Sequence, residues 1–115
     1  MKVVAVIPAY HESKRISSTI EGVFPYIRDI LVVDDGSMDD TGKRAHEAGA
    51  HVLRHAINRG QGAALKTGTE AALRYGADMI VHIDADGQHD PAFLPALLEP
   101  LMSDRVDVVF GSRFL

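Results

Sequence analysis

The sequence contains no cysteine, which excludes disulfide bonds, thiolate metal sites and a cysteine nucleophile. It also lacks any run of about eighteen apolar residues, so it predicts no membrane-spanning helix. The N-terminus has one basic residue, Lys2, and a short apolar run before Pro8, which is too little for a signal peptide. We therefore expect a cytoplasmic protein, located at the cytoplasmic face of a membrane if it belongs to a longer membrane-associated protein.

An excess of basic residues is also missing. With 12 basic and 16 acidic residues the net charge is -4, and no basic run interleaved with aromatic residues occurs. This composition argues against a general nucleic-acid-binding surface. The length of 115 residues, with 46% hydrophobic and 24% charged residues, is typical of one soluble globular domain, which we place at residues 1–115.

Apolar runs alternate with stretches of helical periodicity along the whole chain. Strands are predicted at residues 2–7, 30–33, 52–53, 78–83 and 106–110, the third of them at a sheet edge. Between them, positions such as Ile16, Ile20 and Val23 follow the spacing of one helical face. A further helix is predicted with Asp90 as its N-cap and Pro91 at its first position. The alternation predicts an α/β fold with a doubly wound, mostly parallel sheet in three layers, in which strand one lies between strands two and four.

Each predicted strand is followed by a polar segment. These segments span residues 8–12, 34–37, 58–62, 84–88 and 111–113. Because the carboxyl ends of parallel strands meet at one edge of a sheet, where ligands of such folds bind, we expect all five segments to surround one site.

The fourth segment has the spacing of a metal site. Asp84 and Asp86 lie two residues apart after a buried strand and project to the same side, and Gln88 could add a neutral oxygen. Such oxygen ligands suit Mg²⁺ or Mn²⁺, which can hold a diphosphate as a leaving group. An isolated pair of this kind can equally be two solvated turn carboxylates, so the hypothesis depends on the neighbouring segments.

The other segments offer groups that suit a nucleotide. Tyr10 has an aromatic face for a base, Glu12 could bind ribose hydroxyls, and one of the adjacent acids Asp34 and Asp35 is expected to face the ligand. Backbone N–H groups of residues 58–62 could meet phosphate at a helix start, although Leu65 stands where a dinucleotide fingerprint needs its third glycine.

The histidines give no zinc site. His51 and His55 could share a strand face, but no third ligand has zinc spacing. His82, within the fourth strand, is predicted to be a core or half-buried residue.

Five motifs, VIPAYHE, VVDDGSMDDT, NRGQGAALKTG, DADGQHDP and GSRF, together resemble the N-terminal half of a family 2 glycosyltransferase with the GT-A fold. The most similar branch contains dolichyl- and polyprenyl-phosphate mannosyl- and glucosyltransferases. The resemblance implies a nucleoside-diphosphate-sugar donor such as GDP-mannose or UDP-glucose, a divalent metal (Mg²⁺ or Mn²⁺), inversion at the anomeric carbon and an acceptor such as a polyprenyl phosphate.

The resemblance also assigns site residues by position. The nucleotide-sugar contacts are Pro8, Tyr10, Glu12, Asp35, Asp84, Asp86 and Arg113, and the metal ligands are Asp84, Asp86 and Gln88. Gln61 departs from the family, since many relatives have a basic residue there. The acceptor half of the family is absent and no catalytic base is assigned, so we expect a truncated, incomplete catalyst whose exposed sheet edge is covered by further sequence or used for self-association.

The main alternative is a receiver-like signalling domain. Asp34 and Asp35, Asp84 and Ser112 imitate the acidic and hydroxyl positions of a receiver. A whole strand–helix unit precedes the acidic strand, however, and the partner lysine is missing. A sugar nucleotidyltransferase is disfavoured because residues 8–12 are not a glycine-rich basic loop.

Overall fold

The computed structural model of the chain describes residues 1–85 and the strand at residues 108–110. The elements in chain order are β1 (Val3–Ala9), α1 (Ile16–Val23), β2 (Asp29–Asp34), α2 (Thr41–Glu47), β3 (His51–Arg54), α3 (Gln61–Arg74), β4 (Met79–His82) and β5 (Val108–Phe110). Strands and helices therefore alternate as predicted through residue 82.

The strands form a parallel sheet in the order β3-β2-β1-β4-β5. Strand β1 lies between β2 and β4, with Ala5 opposite Ile30 on one side and Val81 on the other. The predicted central position of the first strand is confirmed, and so is the edge position of β3. A sheet in which β1 and β2 are covered on both faces explains why their sequences are almost continuously apolar.

Helices cover both faces of this sheet. On one face, Ile16, Ile20 and Val23 of α1 pack in the same buried cluster as Ala5 and Ile7 of β1. On the other face, Ala72 of α3 packs with residues of three strands, namely Val4, Val6, Leu31 and Ile80. This arrangement confirms the predicted three-layer α/β/α architecture. Each large apolar side chain fully buried in this way contributes about 1.5–3 kcal/mol relative to an exposed one.

Small residues let α3 lie close to the sheet. A Cβ atom added to Gly68 would lie 2.3 Å from Cγ1 of Val6 and 3.1 Å from Cγ2 of Val33, distances that a packed core does not allow. Ala64, one turn earlier, is fully buried. The close approach brings the first turn of α3 beside the carboxyl ends of β1 and β4, where it takes part in the candidate site.

Several predictions concern residues outside the described ranges. These are the helix after Asp90 and the roles of Asp86, Gln88, Ser112 and Arg113. Within residues 1–85, no helix is both long enough and apolar enough to cross a membrane.

Candidate functional site

A pocket of about 230 Å³ opens at the carboxyl ends of the strands. It is lined by Pro8, Ala9, Tyr10, Glu12, Asp35, Gln61, Ala64, Asp84 and Ala85. The structure therefore brings five of the predicted nucleotide-contacting residues to one place, and the other two, Asp86 and Arg113, lie outside the described ranges. Sites for drug-sized ligands typically measure roughly 300–1,000 Å³, so the pocket formed by the described residues is smaller than a typical ligand site.

The two adjacent acids at the end of β2 have different surroundings. Asp34 is fully buried, and its Oδ1 accepts a hydrogen bond of 3.0 Å from the backbone N–H of Ser37. Asp35 is also buried, but it lines the pocket. Asp34 therefore shapes the turn, and Asp35 is the acid placed for a ligand.

Within the described part of the chain, three donors hold the Asp35 carboxylate. Its Oδ1 lies 2.7 Å from Nδ1 of His55 and accepts the N–H of Arg59 at 2.9 Å, while its Oδ2 accepts the N–H of Gly60 at 2.8 Å. Burial by itself raises the pKa of Asp35, but the hydrogen bonds from His55, Arg59 and Gly60 outweigh it and bring the pKa below its ordinary value. Asp35 is therefore ionised at neutral pH.

These contacts narrow the prediction for the loop at residues 58–62 to the N–H groups at the start of α3. Free backbone N–H groups of this loop were predicted to be able to meet phosphate, and those of Arg59 and Gly60 donate to Asp35 instead. The reason is that a buried carboxylate requires donors, and this loop passes directly over it.

The lowered pKa predicts how acid affects stability. The folded-state pKa of Asp35 lies below its unfolded value of about 4. The ionised carboxylate therefore adds to the free energy of unfolding above pH 4, and this stabilisation disappears as the pH falls through the folded-state pKa. We expect Asp35→Asn to lower the free energy of unfolding at pH 7 by about 1–3 kcal/mol. This difference in stability between wild type and variant should become smaller below pH 4.

Urea unfolding of both proteins between pH 7 and pH 3 measures this gap. Asp40→Asn is the control, because its ion pair with Arg44 joins two side chains that are each about half exposed and should contribute little at any pH. A gap for Asp35→Asn that stays constant across the whole range would contradict the prediction.

Tyr10 is presented to the pocket by His11. The two rings stack with centroids 3.9 Å apart, and Tyr10 remains 45% exposed. His11 has a φ of 53°, a rare value for a residue other than glycine. Two bonds to the loop after β2 hold it there: its N–H donates to Oγ of Ser37 at 2.9 Å, and its Nε2 accepts the N–H of Met38 at 3.0 Å.

Glu12 is held by the starts of two helices. Its N–H donates to Oγ1 of Thr41 in α2 at 3.0 Å, and its carbonyl accepts the N–H groups of Arg15 and Ile16 at the start of α1. These bonds fix the backbone, so the half-buried side chain lines the pocket beside Tyr10.

Asp84 follows β4 and is half-buried at the pocket wall. Nε2 of Gln61 lies 3.5 Å from its Oδ1, which is a weak hydrogen bond at best. An acceptor-only carboxylate with so weak a partner fits a metal ligand. Within the described residues no three carboxylate or histidine side chains cluster tightly enough to hold a metal ion, and the other two proposed ligands, Asp86 and Gln88, lie outside those residues.

The histidines on and beside strands β3 and β4 differ in burial and in hydrogen-bond partners. His82 is buried, as predicted, and burial lowers its pKa; its Nε2 lies 3.0 Å from Oγ1 of Thr69. His51 is exposed on β3, whereas His55 is buried between Asp35 and Thr67. No role was predicted from the sequence for His55 or Thr67. The one available signal was that His55 directly follows a strand, at the edge where the polar segments meet.

Comparison with known proteins agrees with this arrangement. The profile of the family described as Glycosyl transferase family 2 matches residues 4–115. The chain belongs to this family. It is 38% identical over 120 residues to an undecaprenyl-phosphate mannosyltransferase of Micrococcus luteus, covering 98% of this chain and 49% of that protein. It is 32% identical over 126 residues to a dolichol-phosphate mannosyltransferase of Pyrococcus furiosus, covering 100% of this chain and 34% of that protein.

Solved structures of other proteins share the fold of this chain. Glucosyl-3-phosphoglycerate synthase of Mycobacterium tuberculosis, crystallised with Mg²⁺ and UDP, superposes with a TM-score of 0.75 at 32% identity, over 89% of this chain and 40% of that one. The resemblance to the polyprenyl-phosphate branch and the GT-A fold are thus confirmed. The chain spans about half the length of the first curated relatives it matches.

Proposed function

We propose that residues 1–115 are the donor-binding domain of an inverting, metal-dependent glycosyltransferase that transfers a hexose from a nucleoside-diphosphate sugar to an acceptor. The observation that carries this proposal is the pocket that Tyr10, Glu12, Asp35 and Asp84 line at the carboxyl ends of parallel strands. That edge is where open α/β sheets bind their ligands. The complete strand–helix unit before the acidic strand, together with the family match, disfavours a receiver domain.

Each side chain suits one part of the donor. The exposed ring of Tyr10, with His11 behind it, provides a surface on which a nucleobase can stack, and Pro8 borders the same space. Asp35 is ionised and accepts an N–H of the base. The carboxylate of Glu12 accepts ribose hydroxyls.

Asp84 would hold the metal together with Asp86 and Gln88, and Arg113 would contact phosphate. When bound, Mg²⁺ or Mn²⁺ neutralises the diphosphate as it leaves. The solved relative with Mg²⁺ and UDP supports this assignment.

The names of the relatives support an acceptor of the polyprenyl-phosphate type. A lipid phosphate is already an anionic nucleophile, so its attack on the anomeric carbon, from the side opposite the leaving diphosphate, needs no general base. We place the acceptor site in the part of the relatives that this chain does not span.

Binding of the nucleotide tests the proposal. In calorimetry with Mn²⁺ we expect wild-type protein to bind UDP or GDP, and Tyr10→Ala to weaken that affinity about tenfold, because stacking of a base on an aromatic ring is worth about 1–3 kcal/mol. Tyr26→Ala is the matched control, since Tyr26 is similarly exposed at 42% but does not line the pocket.

Transfer is measured separately, with UDP-glucose or GDP-mannose and a polyprenyl phosphate. Absence of binding of both nucleotides to wild type would refute the proposed function. Equal losses in Tyr10→Ala and Tyr26→Ala would refute the assigned base-binding surface.

A further inference from the structure

A buried hydrogen-bonded chain connects the pocket to helix α3. Nδ1 of His55 lies 2.7 Å from Oδ1 of Asp35, and Nε2 of the same ring lies 2.8 Å from Oγ1 of Thr67. His55 is 8% and Asp35 3% exposed. A polar chain so well shielded from water can adopt few alternative arrangements, because each would leave a buried group without a partner.

The chemistry of the three groups places the protons. An ionised carboxylate only accepts, so Nδ1 of His55 carries a hydrogen that it donates to Asp35. Nε2 then faces a hydroxyl, which donates to a neutral imidazole and accepts from an imidazolium. Thr67 therefore satisfies the ring in either charge state and fixes its orientation.

The donors also limit what Asp35 can offer to a ligand. A carboxylate has about four acceptor positions. Within the described part of the chain, Oδ1 accepts from His55 and Arg59, and Oδ2 accepts from Gly60. One position on Oδ2 is left for the pocket that Asp35 lines.

We propose that His55 and Thr67 are positioning residues that hold Asp35 so that it recognises a single N–H of the nucleobase. This inference rests on the proposed function. Uracil presents one imide N–H between two carbonyl groups, which a single acceptor satisfies. Guanine presents an imide N–H beside an exocyclic amine and needs two adjacent acceptor positions. The arrangement therefore favours a uridine nucleotide as the donor.

The chain offers a matched pair of variants for the test. Thr67 and Thr69 are both partly buried on α3, and each bonds a buried histidine. The histidine bonded to Thr67 contacts Asp35, which lines the pocket. Calorimetry with Mn²⁺ compares UDP, GDP and inorganic pyrophosphate, which lacks the base. Loss of a hydrogen bond in a charged network predicts UDP affinity about fivefold weaker in Thr67→Val and about tenfold weaker in His55→Leu.

Pyrophosphate affinity should stay within about twofold of wild type in both variants, because the base is where Asp35 acts. Thr67→Ser, which keeps the hydroxyl, should restore wild-type UDP affinity, and Thr69→Val should leave it unchanged. This base-dependent loss is the result that a purely structural role would not give. If His55→Leu does not fold, the threonine variants decide the question.

Other outcomes would overturn the inference. Equal effects of Thr67→Val and Thr69→Val on UDP, or parallel losses for UDP and pyrophosphate, would mean that the network supports only the fold. Wild-type protein that binds GDP more tightly than UDP would contradict the single-acceptor argument and leave the proposed function standing. If wild type bound pyrophosphate but neither nucleotide, the proposed function itself would fail.

Discussion

Replacing Asp84 with alanine is expected to weaken binding of a nucleoside diphosphate at least tenfold, about 1.4 kcal/mol, and to remove its dependence on metal. The reason is that Asp84 lines the pocket with a carboxylate whose described partner, Gln61, lies 3.5 Å away. Such a carboxylate contributes little to the fold and is available to a cation. The measurement is calorimetry of UDP and GDP with Mn²⁺ or with a chelator, and the chelator should reduce wild-type affinity by a similar factor.

A second carboxylate, at the other end of β4, provides the control. Asp78 precedes β4 as Asp84 follows it, so the two acids lie at opposite ends of one strand, and Asp78 accepts the N–H of Lys2. Asp78→Ala should leave nucleotide affinity unchanged. The sequence spacing predicts that Asp86→Ala behaves like Asp84→Ala, with both proteins folded. Equal wild-type binding with Mn²⁺ and with chelator would contradict the metal assignment.

Gly36→Ala is expected to lower the free energy of unfolding by more than about 3 kcal/mol, which is unusual for so small a change. Gly36 has a φ of +73°, and an added Cβ would lie 2.5 Å from two backbone atoms, N of Asn58 and C of Ile57. Backbone atoms cannot move aside as a flexible side chain does. The loop after β3 would have to shift, and that loop supplies both backbone N–H donors to Asp35.

Gly60→Ala separates the backbone penalty of a positive φ from the steric clash of an added Cβ. Gly60 also has a positive φ, of +98°, but no atom of residues 1–85 or 108–110 lies within 4 Å of an added Cβ. Its ψ is 161°, a combination that is nearly exclusive to glycine, so the variant should show only the backbone penalty of about 1–3 kcal/mol. Thermal unfolding of the two variants gives the comparison, since each kcal/mol shifts Tm by roughly 4–8 °C in a domain of 60–100 residues. Equal Tm values would show that the close contact with Asn58 and Ile57 is relieved without loss of stability.

The periodicity of apolar residues in the sequence was sufficient to predict the sheet. The unbroken apolar run at the start of the chain predicted a strand buried on both faces, and β1 is that strand. The spacing of Ile16, Ile20 and Val23 predicted the buried face of α1. Once the strands are parallel, the polar segments that follow them must meet at one edge, which is why Tyr10 and Asp84 were predicted to share a site.

Hydrogen-bond partners could not be predicted in the same way. His55 and Asp35 are 20 residues apart, and no periodic rule links a residue after an edge strand to one after its neighbour. The same limit explains why the sequence did not reveal that the N–H groups of Arg59 and Gly60 donate to Asp35. Whether an N–H faces a carboxylate or a ligand depends on the path of the loop, which is fixed by contacts such as that of Gly36 with Asn58.

The central position of β1 also determines how the domain can be made during translation. Val3 pairs with Met79, so one edge of β1 has no partner until β4 has been synthesised. At about 5–20 residues per second this interval lasts several seconds. During that time a seven-residue apolar strand has an edge open to pairing with other chains. Synthesis that slows between β1 and β4 should therefore increase aggregation of the nascent protein more than synthesis that slows after β4.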